Sequence, residues 1–292
     1  MWKESYKLGV DSLDEQHKSL CDMVEGLIHI INSGEAAAKK QECINAIVFL
    51  KDYVGKHFST EETYMASINY AELEKHKMLH TVLGKTVMVY EKKMVEADFS
   101  VSSIKEFIGF VTAWLTYHMA VEDLKIISHD DSDIQTKKID SYLEGFIQSS
   151  RNVIEEMAKI QVGKVHENIS NSIMETNVGT SGANVIRIII RQFRPHKYEV
   201  VFYFDEIAAF GLIKALSSMQ LDVIDELAYS TLSEIVSTIN RRALLLFPVN
   251  DEGEATNIVP VPKLLDISAQ IDHTSGFYYD TEIGQIAVSI KC

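Results

Sequence analysis

The chain has 292 residues, enough for two domains with cores of their own, and its 46% hydrophobic content is that of a folded protein and does not indicate disorder. A formal net charge of −14 argues against nucleic acid and anionic membrane as main partners. Cys21, Cys43 and Cys292 are scattered and form neither a disulfide framework nor a CxxC site, which points to a reducing cytoplasm. The opening MWKESYKLGV lacks the apolar core of a secretory signal, and no run approaches ~18 uncharged apolar residues. The expectation is a cytoplasmic protein without a membrane span.

Residues 15–33 carry Leu20, Val24, Leu27, Ile28 and Ile31 at helical spacing and end at Asn32-Ser33-Gly34. A second helix is predicted from near Ala36 to about Tyr64, with Ile44, Ile47, Val48, Leu50 and Val54 inward. A third runs from near Tyr70 to about Met94. A fourth, capped by Ser102 or Ser103, carries Ile104, Phe107, Ile108, Val111 and Leu115 and reaches about Ile127. Long helices joined by short turns predict an all-α up-down four-helix bundle over residues 1–128.

Its polar residues stand out from these stripes. His57 and Glu61 are an i,i+4 pair, as are His76 and His80, so each pair points two side chains at one spot. His17 opens the first helix, and His118 on the fourth precedes Asp123 by five residues, a step of about 140° on an α-helix. Asp123 is therefore expected to approach the bundle centre from another angle than His118, as a bridging ligand would. These five histidines and two carboxylates, spread over all four helices, predict a two-metal site. If Glu61, Asp123 and a solvent-derived oxygen all bridge, the metal with three histidines reaches six ligands. The other, with two, keeps one position open. Histidine-rich octahedral geometry suits iron better than zinc.

The pattern His17, His57-x3-Glu61, His76-x3-His80, His118-x4-Asp123, led by LGVDSLDEQHKSL, resembles bacterial hemerythrins. The resemblance implies a non-haem di-iron centre with an oxo or hydroxo bridge that binds O2 reversibly. His76, His80 and His118 would serve the closed iron and His17 and His57 the open one, where O2 binds end-on in a dry pocket. The Glu-x-x-His spacing of oxygen-activating di-iron bundles is missing from this ligand set.

After the polar break 129–133, Ile139, Leu143, Phe146, Ser150, Val153, Met157 and Ile160 alternate by four and three. Two readings stay open for 129–162: a stiff helical connector forming a coiled coil, or a fifth helix packed on one of the domains. The rest, 163–292, reads as α+β. It comprises a helix from Lys164 to about Glu175, strands at Val185–Gln192 and Tyr198–Phe204 around the turn 194–197, and helices at Glu206–Ser217, capped by Asp205, and Asp222 to about Leu244. Strand regions at Ile258–Val261 and Phe277–Ile290 complete it, the latter turning near Glu282-Ile283-Gly284. His166, His196 and His273 have no ligand partners in sequence and read as surface or loop residues.

The long helix carries a polar stripe, Ser230, Glu234, Ser237 and Arg241, by default a solvated face. Ser-x3-Glu-x2-Asn on such a helix, after such a strand–turn–strand–helix unit, resembles the CheC/CheX chemotaxis phosphatases. That resemblance implies that Glu234 engages a phosphorylated response regulator and that the domain forms dimers. Ser237 stands where the family has the water-positioning Asn, and a hydroxyl lacks the paired donor and acceptor that orient water in line. Asn240, six residues from Glu234, faces another side. Arg241 and Arg242 replace small residues. Glu234 is thus the one catalytic candidate of a degenerate motif, and the chain is expected to be no enzyme. The expected function is oxygen binding or sensing, with two iron ions and O2 in the bundle. A CheX-like domain would be the dimerisation or partner-binding output to a response regulator or chemotaxis protein. The alternatives are an O2-regulated phosphatase, and O2 storage or delivery.

Overall fold

The computed structural model describes residues 1–33, 36–128, 142–167, 185–192, 198–217, 220–246, 261–262 and 275–291. The chain divides into two compact units, Met1–Asp131 and Ser132–Cys292.

In the first unit, α1 (Asp11–Ser33), α2 (Ala36–Ser67), α3 (Leu73–Glu96) and α4 (Val101–Tyr117) form the bundle. α1 and α3 each pack on both α2 and α4, so the four helices close a ring in chain order. Leu20, Val24, Leu27, Ile47, Leu50, Leu83, Val87, Ile104, Phe107, Ile108, Val111 and Leu115 fill its centre. Two local expectations are corrected. Val48 is 62% exposed, because it lies about 140° round the helix from the inward row Cys43, Ile47, Leu50 and Val54. The cap of α4 is Ser100, whose hydroxyl accepts from the Ser103 amide at 3.3 Å, rather than Ser102 or Ser103.

The third correction matters for function. After Tyr117 the chain makes a π-helical turn, His118–Asp123, before α5 (Leu124–Ser128) resumes α-helical winding. In a π turn the hydrogen-bonding step is i to i+5, so the residue five along returns to the face of the first. Asp123 is therefore not swung about 140° away, as a regular α-helix would have it. Its Oδ1 lies 3.1 Å from His118 Nε2.

The second unit is an antiparallel sheet with helices against it. Its strands are β1 (Val162–Glu167), β2 (Val185–Gln192), β3 (Tyr198–Asp205), β4 (Val261–Pro262), β5 (Ser275–Thr281) and β6 (Gly284–Lys291), in the order β1-β5-β6-β3-β2-β4. The pleat sorts side chains by parity. Ile186, Phe204 and Ile286 share one row, Ile188, Phe202 and Val288 the next, and Ile190, Val200 and Ile290 a third. All nine are buried. The other parity places Ile189, Val201, Tyr203 and Ala287 in a separate buried cluster, with the Arg187 guanidinium 5.3 Å from the Tyr203 ring. Both faces being apolar explains why β2 and β3 read as near-continuous hydrophobic runs.

Helices α6 (Tyr142–Ala158), α7 (Glu206–Ser217) and α8 (Glu226–Leu246) pack on one another and on the strands. Asp205 ties α7 to the β5–β6 turn, its Oδ1 accepting from the Ala208 amide at 2.6 Å and its Oδ2 from the Gln285 amide at 3.2 Å. Of the two readings left open for 129–162, α6 is the packed helix. Phe146, Ser150, Val153 and Met157 are buried within this unit, against α8, α7, β1 and β5. Over so few turns a 3.5 period cannot be told from the 3.6 of a globular helix, and the stripe already spent on this core is not free to form a coiled-coil seam. The predicted helix from Lys164 is corrected to strand β1, whose register against β5 shifts between Val162 and Val165. Ile139, His196, His273, the turn 194–197 and residues 168–175 and 258–260 lie outside the described residues. His166 stacks on Tyr278 at 4.4 Å.

Phe146→Ala removes a fully buried ring and is expected to cost about 3–5 kcal/mol. Hydrogen exchange of the β3 and β6 amides should speed up accordingly. Unchanged protection would place α6 outside that core.

Candidate metal centre

α1 supplies His17, α2 supplies His57 and Glu61 one turn apart, α3 supplies His76 and His80 one turn apart, and the π turn supplies His118 and Asp123. None of the seven is more than 4% exposed. Their inward atoms converge on two neighbouring spots. On one side, Glu61 Oε2 lies 3.2 Å from His76 Nε2, 3.0 Å from His80 Nε2 and 3.7 Å from His118 Nε2. Asp123 Oδ1 reaches the same group, 3.1 Å from His118 Nε2 and 3.4 Å from His76 Nε2. On the other side, His17 Nε2 lies 3.2 Å from His57 Nε2 and 3.2 Å from Asp123 Oδ2. Ligating atoms of His17, His57 and Glu61 gather within 4.8 Å of one another, as do those of Glu61, His76, His80 and His118.

The chemistry of this cluster is one-sided. Carboxylate oxygens and unprotonated imidazole nitrogens are all acceptors. Yet His80 Nε2 faces His118 Nε2 at 3.1 Å, and both oxygens of Asp123 and Oε1 of Glu61 are buried with no hydrogen-bond partner. Protons do not resolve the conflict readily. Burial pushes the His57 imidazole down to about 3, assisted by the neighbouring His17. Burial also lowers His17, and it lowers His118 well below the ordinary histidine range. Burial alone would raise Glu61, but its close contacts with His118, His76 and His80 outweigh it and hold the carboxyl well below its usual range. Asp123 moves the other way, raised by burial and then by the charge of Glu61. Five nitrogens and two shared carboxylates, desolvated and short of donors, fit a pair of cations.

The surroundings hold the rings in place and keep them dry. Phe58 stacks on His80 at 3.6 Å and 4°, and Trp114 stacks on His118 at 4.5 Å and 19°. Gln16 Oε1 lies 2.9 Å from His57 Nδ1, and Glu62 Oε1 lies 2.9 Å from His80 Nδ1. Beside the rings is a small, mostly apolar cavity lined by Leu20, Val54, His57, Phe58, Leu115 and His118, among others. Gln16, Phe58, Glu62 and Trp114 escape the sequence reading. Their one signal is position: Gln16, Phe58 and Glu62 each adjoin a ligand-type residue, and Trp114 lies one turn before His118.

Residues 8–129 match the family described as Hemerythrin HHE cation binding domain. Bacteriohemerythrin from Clostridium acetobutylicum is 32% identical over 127 residues, which are 44% of this chain and 98% of that protein. The chain belongs to the hemerythrin family. A second hemerythrin relative, bacteriohemerythrin from Pseudomonas paraeruginosa, is 26% identical over 141 residues, 47% of this chain and 88% of that protein. The C-terminal half, beyond the hemerythrin match, is similar to a CheC-like superfamily protein from Shewanella sp. PV-4 at 18% identity and a TM-score of 0.39, covering 51% of this chain and 95% of that one. It is likewise similar to the CheX–CheY complex structure from Borrelia burgdorferi at 15% identity and a TM-score of 0.40, covering 52% and 97%. No chemistry of this chain follows from values that low.

The polar stripe of α8 is only partly the solvated face expected: Ser230, Glu234 and Arg241 are half-buried, and Ser237 is only 6% exposed. Glu234 accepts from Arg241 Nη2 at 2.7 Å, and the same nitrogen lies 2.8 Å from Thr238 Oγ1. Asn240 is fully buried and accepts from the Tyr198 hydroxyl at 2.9 Å. Among the described residues no helix is long and apolar enough to cross a membrane.

The buried histidines make the metal-free hemerythrin unit acid-sensitive. Their folded pKa lies below the unfolded 6.5, so below that pH the unfolded chain gains protons that the folded one refuses. The stability they carry is full above pH 6.5 and is lost as pH falls below it, for His57 down to about pH 3, less what Asp123 returns. Both tryptophans, Trp2 and Trp114, lie in this unit. Melting followed by tryptophan fluorescence should therefore shift down from pH 7 to pH 5. A constant midpoint would contradict buried, neutral rings.

Proposed function

We propose that the chain binds O2 at a non-haem di-iron centre and passes its oxygenation state to the second unit. His76, His80 and His118 would hold one iron, His17 and His57 the other, with Glu61 and Asp123 bridging. The observation that carries this reading is Asp123, whose Oδ1 faces His118 and His76 while Oδ2 faces His17. A carboxylate divided between two histidine groups is placed to bridge two metals. The histidine counts, three against two, leave the His17–His57 side one ligand short, and the cavity reaches both His57 and His118. The irons, when bound, supply the electrons that a diatomic ligand takes up. This chain's residues do the rest: the imidazoles bind and orient, and Leu20, Val54, Leu115 and the aromatic rings exclude the water that would promote loss of an oxidised ligand.

The output we propose is partner binding by a dimer in the cytoplasm, with a response regulator as the class of partner. The phosphatase alternative is less well supported, since the Glu234 carboxylate is already taken by Arg241 and Ser237 is buried. A hydrolytic role would need both to face a bound phosphoprotein.

Purified protein reconstituted without oxygen should hold about two irons per chain, and O2 should raise a visible charge-transfer band that disappears when O2 is pumped off. His118→Ala should lose most of one iron and the band. Retention of both irons and the band in that variant would sink the ligand set. Irreversible oxidation of the wild type would sink O2 carriage while leaving the metal centre standing. For the signalling half, hydrogen exchange in residues 142–291 should differ between deoxy and oxy forms. Identical exchange would reduce the role to storage or delivery.

A further inference from the structure

Two of the five imidazoles meet a partner on the ring nitrogen turned away from the centre, and the two partners differ in charge. His57 Nδ1 faces Gln16 Oε1 and His80 Nδ1 faces Glu62 Oε1, each at 2.9 Å. Both partner oxygens are acceptors, so each contact is a hydrogen bond when the ring carries its proton on Nδ1, and that tautomer turns a bare Nε2 lone pair inward. In each case the partner is the sequence neighbour of a residue already in the cluster: Gln16 precedes His17 on α1, and Glu62 follows Glu61 on α2. The hydrogen bonds therefore also tie α1 to α2 and α2 to α3 across the centre. The chemical difference is that Gln16 is a neutral amide, whereas Glu62, with its side chain 29% exposed, is a carboxylate. A carboxylate on the far nitrogen raises the basicity of a ligating imidazole more than an amide does.

We infer that Gln16 and Glu62 are positioning residues that lock His57 and His80 in the Nδ1–H tautomer, and that their unequal charge makes the His80 side the more strongly binding half of the centre. This rests on the metal-centre reading above and deepens it. The half that already has three imidazoles also receives the anionic partner, while the half with two receives the neutral one. The asymmetry in ligand number and the asymmetry in donor strength thus point the same way. A metal beside His76, His80 and His118 would be the tighter-bound one, and a metal beside His17 and His57 the weaker-bound one. Phe58, stacked on the His80 ring, keeps that imidazole in the plane the Glu62 bond requires.

The test separates tautomer from metal. In the metal-free full chain, nitrogen-15 shifts of the histidine side chains should give His57 and His80 as Nδ1–H tautomers. Glu62→Ala should turn His80 into a tautomer mixture and leave His57 unchanged, and Gln16→Ala should do the reverse. Anaerobic titration with Fe(II) should then resolve two affinities. Glu62→Gln, which keeps an acceptor and removes the charge, should weaken the tighter one by about 10-fold, and Glu62→Ala by up to about 100-fold. Gln16→Glu should tighten the weaker one and narrow the gap. An unchanged His80 tautomer in Glu62→Ala, or equal affinities for Glu62→Gln and wild type, would overturn the inference. A wild type that takes up no Fe(II) would overturn the metal-centre reading instead, and the tautomer measurement would still decide the positioning roles.

Discussion

The first unit depends on an arrangement that a protein core ordinarily forbids: acceptor atoms turned toward acceptor atoms in a place without water. Facing Nε2 atoms and orphaned carboxylate oxygens would each cost on the order of 1–3 kcal/mol if left unpaired. A cation bound among them would convert those contacts into bonds. Metal affinity and folding would then be one quantity in this unit. The free energy of binding would repay the desolvation of these polar side chains, so the loaded form is expected to be much the more stable.

The π turn at His118–Asp123 is the local device that completes the arrangement. An ordinary helix could supply His118 or Asp123 to the centre, but not both from one face at this spacing. One extra residue in the turn brings the carboxylate back under the imidazole, where its two oxygens divide between the two histidine groups. Trp114 on His118 and Phe58 on His80 then fix the rings that the turn and α3 deliver. The apolar cavity beside His57 and His118 is what remains when these large rings have filled most of the space. A narrow apolar pocket that touches both histidine groups is where a small apolar diatomic would be taken up.

Much of this was legible from spacing. The i,i+4 pairs at His57/Glu61 and His76/His80 needed only helical geometry, and the ligand-type residues fell one set per helix. The π turn was not legible, because the sequence HMAVED offers no breaker, and the i,i+5 step was referred to regular α-helical winding. Gln16 and Glu62 were hidden for a similar reason. They lie one residue off the inward face, and their reach back to Nδ1 depends on rotamers and helix placement. In the second unit the strands β2 and β3 announced themselves by β-branched runs. β1 did not, since VGKVHE is too short and too polar to separate strand from helix. The heptad-like stripe of α6 leaves two readings open because a buried globular helix and a short coiled coil share the same first few apolar positions.

The division between units also bears on function. The stripe once available as a dimer seam is the core of the sheet unit, so communication between the bundle and the sheet unit cannot rest on a free coiled coil at 142–158. What the bundle can change is the state of its own centre, and everything else follows from whether that centre is a coupled pair of unequal metals. Mössbauer spectroscopy of the iron-57-loaded, oxidised protein tests this most directly. The account predicts two ferric ions in about equal amounts, antiferromagnetically coupled and resolved as unequal quadrupole doublets. A single uncoupled, high-spin ferric signal would contradict it.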